Sequence, residues 1–350
     1  MSVQSATKEK LNKSLAILPK LEGVGGPSSF QSKLMKGLAK RGIHTTFNPL
    51  ESDAGTLLVV GGTKHLPTIW KARRKGIRVV QRLNGMNWIH TKKNTGLKHY
   101  LRSEYGNMIL STIRKHLSDA IVYQSQFARS WWQTAYGRSN VEATVIYNGV
   151  DLDEYHPSGP HQRPTDHIRV LLVEGHLGEG NESGLMNAVQ LVEQLKQRLS
   201  QPVELMVAGK VPAKIVEKIS TLTDIWINWA GIIPRDEIPR MDRSAHLLFS
   251  ADLNAACPNS VIEALACGLP VVAYSTGSLP EILENDAGRT APYGSNYWEL
   301  EPPDVSLLVD GAMEILDNLP YFQKQARKQA EAHFSLDYMV DEYLKILFPA

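Results

Sequence analysis

The sequence predicts an α/β protein made of two doubly wound parallel-sheet domains that face each other across a cleft. Strand-like and helix-like segments alternate almost throughout, which is typical of parallel sheets covered by helices on both faces. The chain has 350 residues, which is more than one hydrophobic core usually contains. Turn residues and prolines at 148–160 interrupt the alternation once and predict a linker between the domains.

The first series of elements opens with a short strand at 14–18 and a glycine-rich loop at 23–29. A helical pattern then covers 30–41, and later apolar runs of strand length predict further strands. These strands are expected at 56–60, 78–82, 120–123 and 144–147, with helices between them.

The second series repeats this alternation after the linker. Strands are expected at 169–173, 204–208 and 226–229, and helices at 185–199 and 213–221. A short helix and a buried strand at 269–274 follow, and a last helix is expected at 336–347. The carboxyl ends of the strands in both sheets are expected to face the cleft, where open α/β sheets bind ligands.

The composition excludes several classes of protein. With 43% hydrophobic and 21% charged residues it is that of an ordinary globular protein, and a net charge of +2 is too small to make nucleic acid the main partner. Two cysteines do not build a disulfide framework or a zinc cluster, and the histidines show no metal-ligand spacing. No apolar run reaches membrane-spanning length, and 1–13 lacks a signal-peptide core. We therefore expect a cytoplasmic protein without a bound metal.

Basic clusters lie in the first half of the chain, at 71–75, 92–93 and 114–116. A solvated surface with favourable charges at helix ends is the simpler explanation. The alternative is a surface that touches anionic lipid, which would place the protein peripherally at the inner membrane surface.

The segment 254–273 carries the most chemical information. Asn259 is a good N-cap residue for a short helix, and Gly268 followed by Pro270 is a typical end to one. A helix start has free N–H groups and about half a positive charge, so it can bind phosphate. Glu263 lies one turn inside the same helix, where its carboxylate can accept hydrogen bonds from sugar hydroxyls. The segment thus predicts a phosphate site beside a ribose acceptor.

Several motifs occur in an ordered set along the chain. They are Asn148-Gly-Val-Asp151, the turn and helix at 231–240, the helix and strand at 263–272, and the glycine loop and helix at 276–283. In this order and spacing the chain resembles a family-4 glycosyltransferase of the GT-B fold. The carboxy-terminal half resembles the family over most of its length, whereas the amino-terminal half does so mainly through Gly25-Gly26 and the overall pattern.

The resemblance implies transfer of a sugar from a UDP- or GDP-linked donor to a glycan, lipid-linked or small-molecule acceptor. It implies retention of anomeric configuration, no essential metal, and no cofactor besides the nucleotide-sugar substrate. An acceptor-side domain would cover 1–155 together with a returning helix at 334–350, and a donor domain would cover 156–333.

The resemblance also assigns roles to individual residues. Glu263 would bind the ribose hydroxyls, and Gly25 and Gly26 would approach the donor from the other domain, because glycine leaves room for backbone close to a ligand. The diphosphate would be held by three backbone amides, those of Asn259, Ser260 and Val261.

One departure from the family concerns the transferred sugar. The family carries a second glutamate eight positions before Glu263, where it touches that sugar, but Ala255 stands at this position. Ala255 cannot form a hydrogen bond through its side chain. Asn254 and Asp252 lie nearby, although they are out of register by one and three residues.

A second departure concerns positive charge at the leaving diphosphate. The family's arginine and lysine after the first strand of the second domain align with His176 and Ser183. Lys210, at the end of another strand, is a candidate to restore one charge. Glu174 is a further candidate site residue, because a charge at the end of a central strand is unusual.

In the first domain Asn84 stands where many members of the family carry a histidine, and His90 is a possible substitute. These departures keep two other functions open. One is a non-catalytic nucleotide-sugar-binding relative or partner subunit, and the other is a GT-B nucleotide-sugar epimerase. Donor turnover distinguishes them from a transferase.

Overall fold

A computed structural model describes residues 14–23, 25–51, 53–177 and 182–349, and within them it contains two six-stranded parallel sheets. The predicted polar segment 1–13 lies outside the described residues. The first sheet runs in the order β2-β1-β3-β4-β5-β6. Its strands are β1 (Ser14–Leu18), β2 (His44–Thr46), β3 (Thr56–Val60), β4 (Arg78–Leu83), β5 (Ala120–Tyr123) and β6 (Glu142–Val145).

Helices cover both faces of this sheet. They are α1 (Gly26–Lys40), α2 (Leu66–Arg74), α3 (Leu97–Thr112), which continues into a π-helical turn at Ile113–Leu117, and α4 (Gln126–Tyr136). Helix α1 begins earlier than the predicted residue 30, because Pro27 fits the first turn of a helix, where its missing N–H is not needed.

The second sheet runs in the order β12-β11-β10-β7-β8-β9. Its strands are β7 (Ile168–His176), β8 (Val203–Lys210), β9 (Trp226–Gly231), β10 (Leu247–Ser250), β11 (Val271–Tyr274) and β12 (Gly288–Ala291). The helices after the linker are α5 (Glu182–Arg198), α6 (Ala213–Leu222), α7 (Ile238–Arg243), α8 (Asn259–Ala266), α9 (Leu279–Ile282), α10 (Ser306–Asp317), α11 (Leu319–His333) and α12 (Leu336–Leu347). The predicted pair of doubly wound sheets is confirmed.

The chain order of each sheet reverses at one point, between β1 and β3 in the first sheet and between β7 and β10 in the second. Such switch points leave a crevice outside the carboxyl ends of the strands. The loops that follow β1, β7 and β10 carry Gly25, Glu174 and Asp252, and all three line cavities of the interdomain cleft.

Two segments cross between the domains side by side. The Val150 N–H donates to the Phe334 carbonyl at 2.8 Å, and the Leu336 N–H donates to the Val150 carbonyl at 2.9 Å. Beyond this crossing, α12 packs on the first sheet, where Met339, Val340 and Tyr343 share a core with residues of β1 and α1. The last helix of the chain is therefore part of the first hydrophobic core.

Candidate active site

Two adjoining cavities occupy the cleft. The larger has a volume of about 420 Å³ and is lined by Glu263, and the smaller has about 340 Å³ and is lined by Asn84 and Ala255. Both are lined by Gly26, Val173, Glu174, Gly175 and Asn259. Because they share these walls, the two cavities adjoin each other, and both domains line them.

Helix α8 ends as the sequence predicts but begins differently. Gly268 has a left-handed φ of 70° and closes the helix, with the Leu269 N–H donating to the Ala264 carbonyl at 2.9 Å. The prediction of Asn259 as N-cap is wrong, since Pro258 is the cap and the Asn259 side chain makes no capping bond. Its Oδ1 instead accepts from Nδ2 of Asn148 at 3.1 Å, which ties the helix start to the interdomain crossing.

The first turn of α8 nevertheless faces the cleft. The first hydrogen bond at the helix start runs from the Ile262 N–H to the Pro258 carbonyl at 3.3 Å, so the amides of residues 259–261 precede the helical ladder. Asn259 and Ser260 line the smaller cavity, whereas the Val261 side chain is buried in the core beneath it.

Glu263 lies on the wall of the larger cavity, with its side chain 10% exposed. Its Oε1 accepts from Nζ of Lys33 at 2.8 Å. Lys33 belongs to α1 in the other domain, and Gly26, Ser29 and Lys36 of the same helix also line this cavity. Lys33 was not among the predicted site residues. The spacing of these polar residues along one face of α1 could have indicated Lys33. A helix that starts at residue 30, as predicted, leaves Gly26 and Ser29 out of that face.

Two carboxylates lie between the cavities. Glu174 is half-buried and lines both, while Asp252 is exposed to the solvent of the cleft and lines the smaller one. Burial, with a smaller contribution from Asp252, raises the pKa of Glu174 well above its ordinary value. Asn254 is only 4% exposed and does not line either cavity, whereas Asp252 lines the smaller cavity together with Ala255.

Asn84 lines the smaller cavity within a network of amides. Its Oδ1 accepts from Nη1 of Arg82 at 2.5 Å and from Nε2 of Gln124 at 2.9 Å. The second guanidinium nitrogen of Arg82, Nη2, donates to Oδ1 of Asn148 at 2.8 Å. Arg82, Gln124 and Asn148 were not among the predicted site residues, because only the fold brings strands β4 and β5 and the linker together.

The structure does not gather the other predicted residues at these two cavities. His90 lines a separate cavity of about 680 Å³, and its Nε2 lies 2.6 Å from Oε1 of Glu104. Lys210 is exposed and lines neither cavity. Ser183 lines a small space of about 160 Å³ next to Glu174. The backbone of His176 ends β7, but its side chain lies outside the described part of the chain.

The glycines of the cleft permit close packing. Gly25 has a φ of 146°, which L side chains rarely adopt, and a Cβ on Gly26 would lie 4.0 Å from Nδ2 of Asn259. A helix start of the first domain therefore faces a helix start of the second across the cavities. In the part of the chain that the structure describes, no group of three or more His, Cys, Asp or Glu side chains is placed to hold a metal ion.

The environment of Glu174 predicts a pH dependence of stability. The folded protein keeps the proton on the Glu174 carboxyl to a higher pH than the unfolded chain does. The stability that this proton contributes is therefore fully present below the ordinary pKa of 4.5 and is lost as pH rises through the raised pKa. Between the two pKa values, each rise of one pH unit lowers the free energy of unfolding by about 1.4 kcal/mol. Glu174→Gln should therefore melt at a higher temperature than the wild type at pH 7, and the difference should disappear near pH 4. A difference that stays constant between these pH values would contradict the assignment.

Comparisons with known proteins agree with the two-domain architecture. Residues 168–318 match the family described as Glycosyl transferases group 1, and residues 60–154 match the family described as Glycosyltransferase Family 4. A subunit of the phosphatidylinositol N-acetylglucosaminyltransferase of Arabidopsis thaliana is 24% identical over 187 residues, which are 52% of this chain and 39% of that protein. O-antigen chain mannosyltransferase B of Escherichia coli is 29% identical over 117 residues, 32% of this chain and 29% of that protein. The matches thus span well under half the length of either relative.

Solved structures share the fold over nearly the whole chain. Sucrose-phosphate synthase from Thermosynechococcus elongatus superposes with a TM-score of 0.71 at 14% identity, covering 95% of this chain and 98% of that one. Anabaena HepE in complex with UDP and glucose superposes with a TM-score of 0.68 at 15% identity, covering 96% of this chain and 99% of that one. WaaG, a glycosyltransferase involved in lipopolysaccharide biosynthesis, superposes with a TM-score of 0.66 at 15% identity, covering 96% of this chain and 100% of that one. A family 4 match in the first domain and a group 1 match in the second identify both as glycosyltransferase domains, and the fold that they form is the GT-B fold.

Proposed function

We propose that this chain transfers a sugar, with retention of configuration and without a metal, from a uridine or guanosine diphosphate sugar to a glycan, lipid-linked or small-molecule acceptor. The observation that carries the proposal is the position of Glu263 and the first turn of α8 on the walls of two adjoining interdomain cavities. HepE has been solved in complex with UDP and glucose and with UDP-glucose, which favours a uridine nucleotide here.

The larger cavity is the proposed site of the nucleoside. The Glu263 carboxylate would accept hydrogen bonds from the ribose hydroxyls, and the amides at the start of α8 would donate to the diphosphate. Gly25 and Gly26 would let the backbone of the first domain approach the donor. The sugar would then extend into the smaller cavity, where Asp252 and Glu174 offer acceptors for its hydroxyls in place of the glutamate that Ala255 replaces.

The proposed reaction needs no strong base from the protein. The bond between the anomeric carbon and the diphosphate oxygen breaks, and its electron pair stays on that oxygen. The acceptor hydroxyl forms the new bond on the same face of the sugar and gives its proton to the departing phosphate. The protein would stabilise the growing negative charge through amide donors, and domain closure would exclude water. Asn84 would act as a hydrogen-bond donor there.

A thermal-shift panel of UDP, GDP and their sugars tests donor binding. A ligand present at a hundred times its Kd stabilises the folded protein by about 2.7 kcal/mol, so a true donor should raise the melting temperature clearly. The shift should persist in EDTA. If no nucleotide of the panel shifts the melting temperature, the proposed donor site is wrong.

A second candidate function is a nucleotide-sugar-binding relative without transferase activity. The observations that favour it are the missing side-chain contact at Ala255 and the exposed Ser183 at the position of the family's lysine. A protein of this kind would bind UDP-sugars in the thermal-shift panel but would neither hydrolyse nor transfer the sugar in the presence of glycan and lipid-linked acceptors.

The cavity of about 680 Å³ beside β4 is the proposed acceptor site, and helix α3 next to it suggests where a lipid-linked acceptor would come from. The inward side of α3 includes the polar residues Ser103, Asn107 and Ser111, all less than 10% exposed. Its outward side carries five large apolar side chains among the charged residues Lys98, Arg102 and Glu104. The exposed fractions are 75% for Leu97, 42% for Tyr100, 58% for Leu101, 47% for Tyr105 and 55% for Met108.

Five large exposed apolar side chains on one helix are unusual on a protein surface that stays in water. Lys98 and Arg102 are exposed on the same helix together with Glu104, and Lys92, which pairs with Glu299, and Lys93 precede it, so cations outnumber anions around these apolar side chains. We therefore propose that α3 rests peripherally on an anionic membrane, at the inner membrane surface, and places the acceptor cavity at the lipid headgroups. In the described part of the chain no helix is long and apolar enough to cross a membrane.

Vesicle sedimentation tests this contact. The protein should bind vesicles of phosphatidylcholine with phosphatidylglycerol more tightly than vesicles of phosphatidylcholine alone. The double change Leu101→Ser and Met108→Ser should weaken vesicle binding about a hundredfold or more, because each substitution removes about 1.5–3 kcal/mol of favourable apolar burial in the membrane. Leu222→Ser, at an exposed apolar position of another helix (58% exposed), should have no effect. Equal binding of all variants, or association of α3 with a second copy of the chain in solution, would argue against the membrane.

A further inference from the structure

Arg82 is a buried cation at the carboxyl end of β4, close to the cleft. It is 1% exposed, and its guanidinium lies 3.8 Å from the centre of the Phe30 ring. Its hydrogen bonds go to the amide oxygens of Asn84 and Asn148. Among the described residues no carboxylate forms an ion pair with it. The Tyr343 hydroxyl lies beside the guanidinium, but within this described part of the chain Nε makes no hydrogen bond of ordinary geometry.

An uncompensated buried charge is costly to fold around and is a reason to look for a ligand of opposite charge. Burial lowers the pKa of Arg82 from its ordinary value. A guanidinium nevertheless stays protonated at neutral pH. The interior of the first domain therefore holds a positive charge with no carboxylate partner among the described residues.

The amides that contact Arg82 reach the cleft. Asn84, Asn148 and Gln124 all line the smaller cavity, together with the start of α8. A guanidinium only donates, so it holds both asparagine oxygens inward and turns their amino groups away from itself. The amino group of Asn148 donates to the Cys257 carbonyl at 2.9 Å and to Oδ1 of Asn259, and thus holds the helix start.

We propose that Arg82 is the buried counter-charge for the diphosphate of the donor and acts through the side-chain amides of Asn84 and Asn148. The inference rests on the proposed function. His176 and Ser183 stand at the positions of the family's arginine and lysine, and Arg82 supplies positive potential from the opposite domain. As the bond to the anomeric carbon breaks, this potential stabilises the electron pair left on the diphosphate oxygen. Arg82 is a positioning residue, because it touches the site only through the two amides.

A matched pair of variants separates charge from hydrogen bonding. Arg82→Lys keeps the charge, whereas Arg82→Gln keeps a hydrogen-bond donor and removes the charge. Calorimetric titration with UDP and with uridine measures binding with and without the diphosphate. We expect Arg82→Gln to weaken UDP binding about tenfold or more, the loss typical of one charge-assisted contact. Uridine binding should stay close to the wild type in both variants, and Arg82→Lys should also keep UDP binding near the wild type.

Equal losses for UDP and uridine would reduce Arg82 to a structural role, and unchanged UDP binding in Arg82→Gln would overturn the proposal outright. If Arg82→Gln does not fold, Asn84→Asp replaces it, since a carboxylate against the guanidinium neutralises the charge while keeping the contact. It should also weaken UDP binding more than uridine binding. A wild type that binds neither ligand would refute the proposed function as well, whereas failure of the variants alone refutes only this inference.

Discussion

Glu263→Gln is expected to lose nucleotide binding while keeping the fold. The substitution is isosteric but removes the negative charge that would accept the ribose hydroxyls. Each charge-assisted hydrogen bond is worth about 1.5–3 kcal/mol, so the affinity for UDP should fall about tenfold to a hundredfold. Calorimetric titration with UDP measures the loss, and an unchanged melting temperature without ligand shows that the fold is intact.

A matched change elsewhere serves as the control. Glu217→Gln removes a carboxylate from the exposed side of α6, away from the cleft, and should leave UDP binding unchanged. If Glu263→Gln binds UDP as tightly as this control does, the nucleoside does not occupy the larger cavity in the proposed orientation.

Gly209→Ala is expected to destabilise the second domain severely. Gly209 has a φ of 140°, and a Cβ there would lie 1.8 Å from the carbonyl oxygen of Glu174. Backbone atoms cannot move aside as a flexible side chain does, so β7 and β8 would have to separate. Backbone strain and overpacking together should lower the free energy of unfolding by about 3–5 kcal/mol, which is measured as a lower unfolding midpoint in urea.

Gly175→Ala provides the comparison for this effect. Gly175 lines the same cavities as Glu174, but a Cβ there meets no atom within 4 Å. Its stability should remain close to that of the wild type. Similar unfolding midpoints for Gly209→Ala and Gly175→Ala would contradict this prediction, because they would show that β7 and β8 can move apart at little cost in stability.

Long, strongly periodic elements could be predicted from the sequence because their own pattern determines them. Strands β1, β3 and β5 and helix α12 have the predicted bounds. Strands β2, β10 and β12 were missed because they are only three or four residues long, and β2 and β12 also contain polar residues. Strand β6 was expected two residues too late, at 144–147, since the apolar pattern there continues past the end of the sheet pairing at Val145.

The candidate site was predictable only where one segment carries it. Glu263 and the start of α8 lie within a few residues of each other, and so their motif could be read directly. Lys33, Arg82 and Gln124 come from three elements of the first domain, and each is an ordinary polar residue in its local sequence. Asn259 has the local preference of an N-cap residue, but its side-chain oxygen accepts a hydrogen bond from the linker residue Asn148 and does not cap the helix.

The ion pair between Lys33 and Glu263 has a consequence for turnover. Without a ligand, the carboxylate that would hold the ribose is already bound, by an ammonium from the opposite domain. A nucleotide must displace this internal competitor on entry, which lowers its apparent affinity. After the sugar has left, the same ammonium can recapture Glu263 and help to expel the spent nucleotide. Product release, often the slow step in enzymes that close around their substrates, would thus be assisted by a contact that weakens binding at the start of the cycle.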